Sequence, residues 1–102
     1  MKSILQEDRE RCYLCGMYGT SLDPLDEHHV FFGTANRKKS EKYGLKVYLH
    51  HNKCHIFGDD AVHKNASVCR SLYREAQEAA MRYYGWTTEE FIEKIGRNYI
   101  GD

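Results

Sequence analysis

Alternating apolar and polar positions indicate two short strands in the first half of the chain. The run LDEHHVFF, from about Leu25 to Phe32, ends in β-branched and aromatic residues and predicts a strand. In LKVYL, residues 45–49, every second residue is apolar, which is typical of a half-buried strand. The polar segment GTANRKKSEKYG, bounded by Gly33 and Gly44, separates the two strands, and we predict a basic loop there.

In the second half of the chain, the apolar residues recur at helical spacing instead of alternating. Apolar or small residues that would share one helix face are Val68, Cys69, Leu72, Tyr73, Ala76, Ala79, Ala80 and Tyr83. This spacing predicts a helix over about 66–84, with Asn65 or Ser67 as its N-cap and Gly85 as its end.

A shorter helix is predicted to follow. Thr87 or Thr88 would cap it, Phe91 and Ile95 would lie on its apolar face, and Gly96 would end it. Strands followed by helices predict an α+β fold. The helices look like scaffold, so we expect the chemistry to lie upstream of them.

Size and composition favour one small globular domain over residues 1–102. The chain has 102 residues, 41% of them apolar, and no net charge. Its charge is unevenly distributed, because residues 33–64 carry seven basic side chains against three acidic ones. The total charge therefore does not indicate a nucleic-acid partner, whereas the excess of basic residues in the middle third is compatible with one.

Residues 1–12, MKSILQEDRERC, contain no apolar run long enough for a signal peptide, and no later run approaches a membrane span. We therefore expect no membrane partner, and a cytoplasmic protein whose cysteines are reduced.

Two groups of metal-binding residue types stand out, and the first contains cysteines. Cys12 and Cys15 form a CxxC, and about 35 residues later His51 and Cys54 repeat the same spacing, which predicts a tetrahedral structural zinc site. His50 is the rival fourth ligand. The competing interpretation is that Cys54 and Cys69 are small buried residues and that His50 and His51 are solvated.

The second group contains His28, His29, His55 and His63. Neighbours on a strand point to opposite sides, so one histidine of the 28–29 pair can bind a metal ion while the other serves as a base. A metal-bound imidazole cannot also take a proton, and a hydrolytic site needs both roles. His55 and His63 could complete the metal sphere.

Several segments together resemble a known family. CYLCG, DEHHVFFG, RKKSEKYGLKVYL, CH and AVHKN are similar to the motifs of small phage-associated HNH endonucleases, which are ββα-metal (His-Me) finger nucleases. The resemblance covers roughly Cys12 to Asn65. It implies an N-terminal tail over 1–11, a zinc knuckle and ββα-metal core over 12–65, and C-terminal helices over 66–102.

The same resemblance implies roles for individual residues. His28 would be a ligand of a catalytic divalent ion together with His55 and His63, and His29 would be the general base. The cysteines at 12, 15 and 54 would bind a structural zinc. The family's middle asparagine has no counterpart in LKVYL, and Asn36 and Asn52 are the nearby candidates.

The implied function is metal-dependent hydrolysis of phosphodiester bonds in DNA, with Mg²⁺, Mn²⁺, Ni²⁺ or Zn²⁺ as the catalytic ion. The expected DNA-backbone contacts are Arg37, Lys38, Lys39 and Lys42. The setting would be the cytoplasm of a bacterial host, with phage packaging or recombination proteins as partners. The alternative is a zinc-stabilised nucleic-acid-binding module without catalytic activity.

Overall fold

The computed structural model describes residues 1–101, which contain two antiparallel strands and three α-helices. In chain order the elements are β1 (Leu25–His29), α1 (Thr34–Tyr43), β2 (Lys46–His50), a π-helix (His51–Ile56), α2 (Ala66–Tyr84) and α3 (Thr88–Ile95). The predicted α+β class is confirmed.

The hairpin of β1 and β2 places the two neighbouring histidines on opposite faces. His28 lies opposite Val47, and His29 lies opposite Lys46. His28 is buried, whereas His29 is only partly covered. β1 ends at His29, three residues before the predicted end, although the amide of Val30 still donates to the carbonyl of Leu45 at 2.9 Å.

The segment predicted as a loop between the strands is the helix α1, and this is a correction. Its residues are almost all polar, so the apolar stripe that reveals most helices is missing. Its one buried residue, Ser40, donates a hydrogen bond to the Phe31 carbonyl (2.8 Å) and accepts one from the Phe31 amide (3.0 Å). Polar contacts therefore attach this helix to the end of β1.

A single π-helical turn and a tight loop bring distant histidines together after β2. The π-helix runs over His51–Ile56, directly after β2. Beyond it the chain folds back, so that the Val62 amide donates to the Cys54 carbonyl at 2.9 Å and the His63 amide donates to the His55 carbonyl at 3.0 Å. Backbone hydrogen bonds thereby hold His63 beside His55.

Both C-terminal helices are confirmed with their predicted ends. The Asn65 side chain accepts hydrogen bonds from two amides of the first turn of α2, and Gly85 ends that helix in a left-handed conformation. Thr87 and Glu90 form a reciprocal capping box on α3, and Gly96 ends it. The core that these helices cover includes Phe31, Leu45, Leu49, Leu72, Ala76, Phe91 and Ile95.

The N-terminal segment lies along β2. The Ile4 amide donates to the Gly44 carbonyl at 2.9 Å, and the Gln6 side chain accepts from the Tyr48 amide at 2.8 Å. Gly44 is required here, because its φ is +72° and a Cβ atom would lie 2.5 Å from the carbonyl oxygen of Lys2. Within residues 1–101, no helix combines the length and apolar character needed to cross a membrane.

Candidate metal sites

Four donor side chains converge where the first turn of the chain meets the end of β2. Cys12, Cys15, His50 and Cys54 each offer one ligand atom, and these atoms all lie within 4.8 Å of one another. The Sγ atom of Cys15 lies 3.3 Å from Nδ1 of His50. Three thiols and one imidazole could hold a metal ion, and this set is compatible with a structural zinc.

Local backbone structure creates this convergence. The Gly16 amide donates to the Cys12 carbonyl at 2.9 Å, which closes the CYLCG turn and places both thiols on its inner side. The Tyr13 amide donates to the Tyr48 carbonyl at 2.8 Å, which fixes the turn against β2. The π-helix contributes the third thiol of the cluster, that of Cys54.

The pKa values of the thiols in this cluster are also compatible with a bound cation. Burial raises the pKa of Cys12, but hydrogen bonds from nearby backbone amides, including those of Cys15 and His50, outweigh burial and bring this pKa down to about 7. Burial and the neighbouring Cys12 sulfur raise the pKa of Cys54 to about 12. A second thiolate beside the first therefore needs a positive charge to stabilise it.

The choice of His51 as the fourth ligand is corrected, since His50 lies at the cysteines. His51, the next residue, begins the π-helix, and its Nδ1 lies 2.6 Å from Oδ2 of Asp26. Cys69 lies on α2, outside the cysteine cluster, where it packs against the core.

A second cluster joins three of the remaining histidines. His28 comes from β1, His55 from the π-helix, and His63 from the loop before α2, and their ligand atoms lie within 4.8 Å of one another. Nε2 of His55 lies 3.2 Å from Nδ1 of His28 and 3.1 Å from Nε2 of His63. His28 is buried and His63 is exposed, so the cluster is open to solvent on one side.

Charge and hydrogen bonding suit this cluster to a metal ion. Burial, and then the neighbouring His55 and His63, lower the pKa of His28 to about 3, so that its imidazole is neutral at physiological pH. Its Nε2 atom is buried without a hydrogen-bond partner among residues 1–101. The nitrogen of His28 that faces His55 is the other one, Nδ1, at 3.2 Å. Three neighbouring imidazoles, one of them held neutral by burial, are donors that divalent transition metals accept.

An aspartate that the sequence interpretation omitted lies behind the histidine cluster. Oδ2 of Asp26 lies 2.8 Å from Nδ1 of His55 and 2.6 Å from Nδ1 of His51. Burial raises the pKa of Asp26, but hydrogen bonds from His55 and His51 outweigh it and lower this pKa below its usual value. The sequence spacing could have identified this residue, because Asp26 lies two residues before His28 on a strand and therefore shares its face.

His29 lies outside the histidine cluster and faces a different partner. Its Nε2 lies 2.9 Å from Oε1 of Glu41 on α1 and 3.7 Å from Oε1 of Glu27. Hydrogen bonds from the amino group of Met1, from His29 and from Lys46 lower the pKa of Glu41 to about 2. The Glu41 carboxylate is therefore charged whenever His29 could act as a base.

His29 opens into a groove of about 980 Å³ beside α1, which we call the α1 groove. Its lining includes His29, Phe32, Arg37, Lys38, Glu41 and Lys42. Phe32 connects this groove to the histidine cluster, because its ring centroid lies 4.9 Å from that of His63 and 5.9 Å from that of His28.

Three of the four predicted DNA contacts, Arg37, Lys38 and Lys42, line the α1 groove. Lys39 does not line it, because its ammonium group donates to the Ile95 carbonyl at 3.1 Å, at the C-terminal end of α3. Asn36 lies on α1, and Asn52 lies on the π-helix.

Comparison of the chain with models of protein families, with curated proteins and with solved structures finds no match.

Proposed function

We propose that this protein is a metal-dependent DNA endonuclease of the HNH type, with a structural zinc at its cysteine cluster. The observation that carries the proposal is the convergence of the His28, His55 and His63 imidazoles within 4.8 Å, beside a groove that is lined by His29 and basic side chains. Phosphodiester hydrolysis needs a metal ion, a base and phosphate contacts in one region, and this part of the molecule offers candidates for all three.

His28, His55 and His63 would hold the divalent ion. When bound, the ion would supply positive charge to the phosphate and to the departing 3′ oxygen. His28 is suited to its part because burial keeps it neutral and its neighbours fix its ring. The exposed edge of His63 leaves one side of the cluster accessible to a phosphate group.

His29 would act as the general base. With Nε2–H donating to the Glu41 carboxylate, Nδ1 carries the lone pair and can accept a proton from water. The resulting hydroxide would attack phosphorus as the bond to the 3′ oxygen breaks. The departing 3′ oxygen would take a proton from solvent, so that the products carry 5′ phosphate and 3′ hydroxyl ends. The negative charge of Glu41 stabilises the imidazolium that forms.

The scissile phosphate would lie at the end of β1, where Phe32 contacts both the α1 groove and the histidine cluster. α1 begins there at Thr34, and its first turn has neither an acidic residue nor a side-chain cap. Free amides and the helix dipole favour an anion at such a position. Arg37, Lys38 and Lys42 would bind neighbouring phosphates of the DNA backbone.

One observation favours a second candidate, a zinc-stabilised nucleic-acid-binding module without catalysis. His29 lies on the face of β1 opposite to His28 and is engaged by Glu41. A base held away from the metal cluster could not reach the attacking water, whereas Arg37, Lys38 and Lys42 of the α1 groove would still bind nucleic acid.

The deciding experiment is plasmid nicking by protein that retains one zinc per chain and receives Mg²⁺, Mn²⁺, Ni²⁺ or further Zn²⁺. The wild type should nick in a metal-dependent way, and His29→Ala should lose roughly 10²- to 10⁴-fold in rate while it retains DNA binding. Unchanged nicking by His29→Ala would assign the base elsewhere or expose a contaminant. A folded wild type that binds DNA but cuts no form of it would establish the binding module instead.

A further inference from the structure

We infer that Asp26 is a positioning residue that sets the orientation and the tautomer of the metal ligand His55, and that His51 holds Asp26 in place. This inference rests on the proposed metal role of the histidine cluster. Asp26 belongs to neither metal-binding motif of the sequence, and the nuclease mechanism above does not use it.

The two nitrogens of His55 face two different environments. Nδ1 lies 2.8 Å from the Asp26 carboxylate, while Nε2 lies 3.2 Å from His28 and 3.1 Å from His63. A carboxylate accepts hydrogen bonds and cannot donate one, so Nδ1 must carry the proton. The lone pair of His55 is then on Nε2, directed at the other two imidazoles.

The charge of Asp26 has a second effect on His55. A carboxylate that accepts the N–H of a metal-bound imidazole makes that imidazole a stronger donor, and loss of such a partner costs metal affinity. Asp26 is placed for this effect, because its Oδ2 atom lies 2.8 Å from Nδ1 of His55.

His51 accounts for the fixed position of Asp26. Its Nδ1 donates to the same Oδ2 atom at 2.6 Å, and its ring lies edge-on to that of Phe57, with the centroids 6.2 Å apart. The side chain of Asp26 is 31% exposed, so without His51 it could rotate into solvent. His51 thereby has a role that is separate from zinc binding.

A different possibility is that Asp26, His51 and His55 bind an ion of their own, since their ligand atoms also lie within 4.8 Å of one another. His55 would then have to give up its Nδ1 proton while Nε2 serves the other cluster. Neutral imidazole donates only one lone pair, so one His55 side chain does not serve both clusters.

The test compares Asp26→Asn with Asp59→Asn, which removes the same charge from a side chain that is 99% exposed. Each protein carries zinc at its cysteine site, and Co²⁺ is then titrated by calorimetry and by its visible spectrum. We expect Asp26→Asn to bind Co²⁺ roughly 10- to 100-fold more weakly with an altered spectrum, and His51→Gln to show a smaller loss. Asp59→Asn should match the wild type.

Zinc content and the melting temperature of the cobalt-free proteins separate positioning from a general structural role. Both should match the wild type in Asp26→Asn, and loss of zinc together with cobalt would overturn the inference. Wild-type cobalt affinity and spectrum in Asp26→Asn would overturn it and leave the proposed function intact. A wild type that takes up no Co²⁺ would overturn both the inference and the proposed catalytic metal. Binding of two Co²⁺ per chain would also overturn the inference, and would favour a separate ion site at Asp26, His51 and His55.

Discussion

His50 and His51 are adjacent in the chain but belong to different clusters. Nδ1 of His50 lies 3.3 Å from Cys15 Sγ, whereas Nδ1 of His51 lies 2.6 Å from Asp26 Oδ2. The boundary between β2 and the π-helix falls between them and directs their side chains apart. One histidine can therefore serve the cysteine cluster while its neighbour supports the histidine cluster.

The first prediction is that His50→Ala loses the structural zinc and His51→Ala retains it. His50 supplies the only imidazole among the four converging donors of the cysteine cluster, so its removal leaves three ligands. Zinc per chain, measured by atomic absorption after gel filtration, distinguishes the two variants. Cys69→Ser is the matched thiol control, because Cys69 lies outside the cluster. Zinc retention by His50→Ala with loss by His51→Ala would reverse the assignment.

Sequence reasoning succeeded where the deciding interactions are local. Asn65, Thr87 and Gly85 act within one turn of the helix ends that they define, so their residue types predicted those ends. The alternation in LKVYL likewise predicted β2, because strand periodicity follows from the pleat itself. The prediction that this strand is half-buried was wrong, since all five residues of Lys46–His50 are buried.

Sequence reasoning failed where a distant contact decides. The one buried residue of α1 is Ser40, a polar residue that no periodicity of apolar side chains could reveal. The spacing of zinc ligands could not choose between His50 and His51, because the outcome depends on the backbone of the π-helix. The role of Asp26 depends on His55, which lies 29 residues later in the chain.

The second prediction concerns the basic face of α1. Arg37→Ala with Lys38→Ala should weaken DNA binding and lower the slope of log affinity against log salt by about 2, because two phosphate contacts are lost. The control pair Arg70→Ala with Arg74→Ala removes the same charge from exposed positions of α2 and should leave the slope near the wild-type value. Fluorescence anisotropy at several salt concentrations measures both pairs. Equal slopes for the two pairs would remove α1 from the DNA interface.

Lys39 offers a third prediction, because its ammonium group is already engaged at the end of α3. Lys39→Ala should leave the salt slope of DNA binding close to the wild-type value. It should instead lower the free energy of unfolding by up to about 1 kcal/mol, through loss of a cation at a helix C-terminus. Urea denaturation and the same anisotropy titration provide the two measurements. A lowered salt slope of DNA binding with an unchanged free energy of unfolding would show instead that Lys39 contacts DNA.

The fourth prediction is a metal preference. Three imidazole nitrogens without a carboxylate favour Zn²⁺, Ni²⁺ or Co²⁺ over Mg²⁺, which prefers oxygen ligands. Nicking should therefore appear at much lower concentrations of Ni²⁺ or Co²⁺ than of Mg²⁺. His63→Asp is the informative variant, because a carboxylate at the exposed position should shift the preference toward Mg²⁺ or Mn²⁺. Nicking that is supported best by Mg²⁺ in the wild type would argue against the His28, His55 and His63 set.

The fifth prediction tests the attachment of α1 itself. Ser40 is fully buried, and its hydroxyl both donates to and accepts from the backbone of Phe31. Ser40→Ala leaves a buried amide and a buried carbonyl without that partner, so the free energy of unfolding should fall by about 1–3 kcal/mol. Ser71→Ala, at an exposed position of α2, should change it by less than about 0.5 kcal/mol.

The same substitution also bears on the catalytic proposal, because α1 carries Glu41, which holds His29. If Ser40 anchors this helix, Ser40→Ala should slow nicking under conditions where the protein remains folded, and Glu41→Gln should slow it without a comparable loss of stability. In a protein that already carries His29→Ala, Glu41→Gln should not change the nicking rate further, since both substitutions act on one base. Additive effects of His29→Ala and Glu41→Gln on the nicking rate would show that Glu41 acts independently of His29.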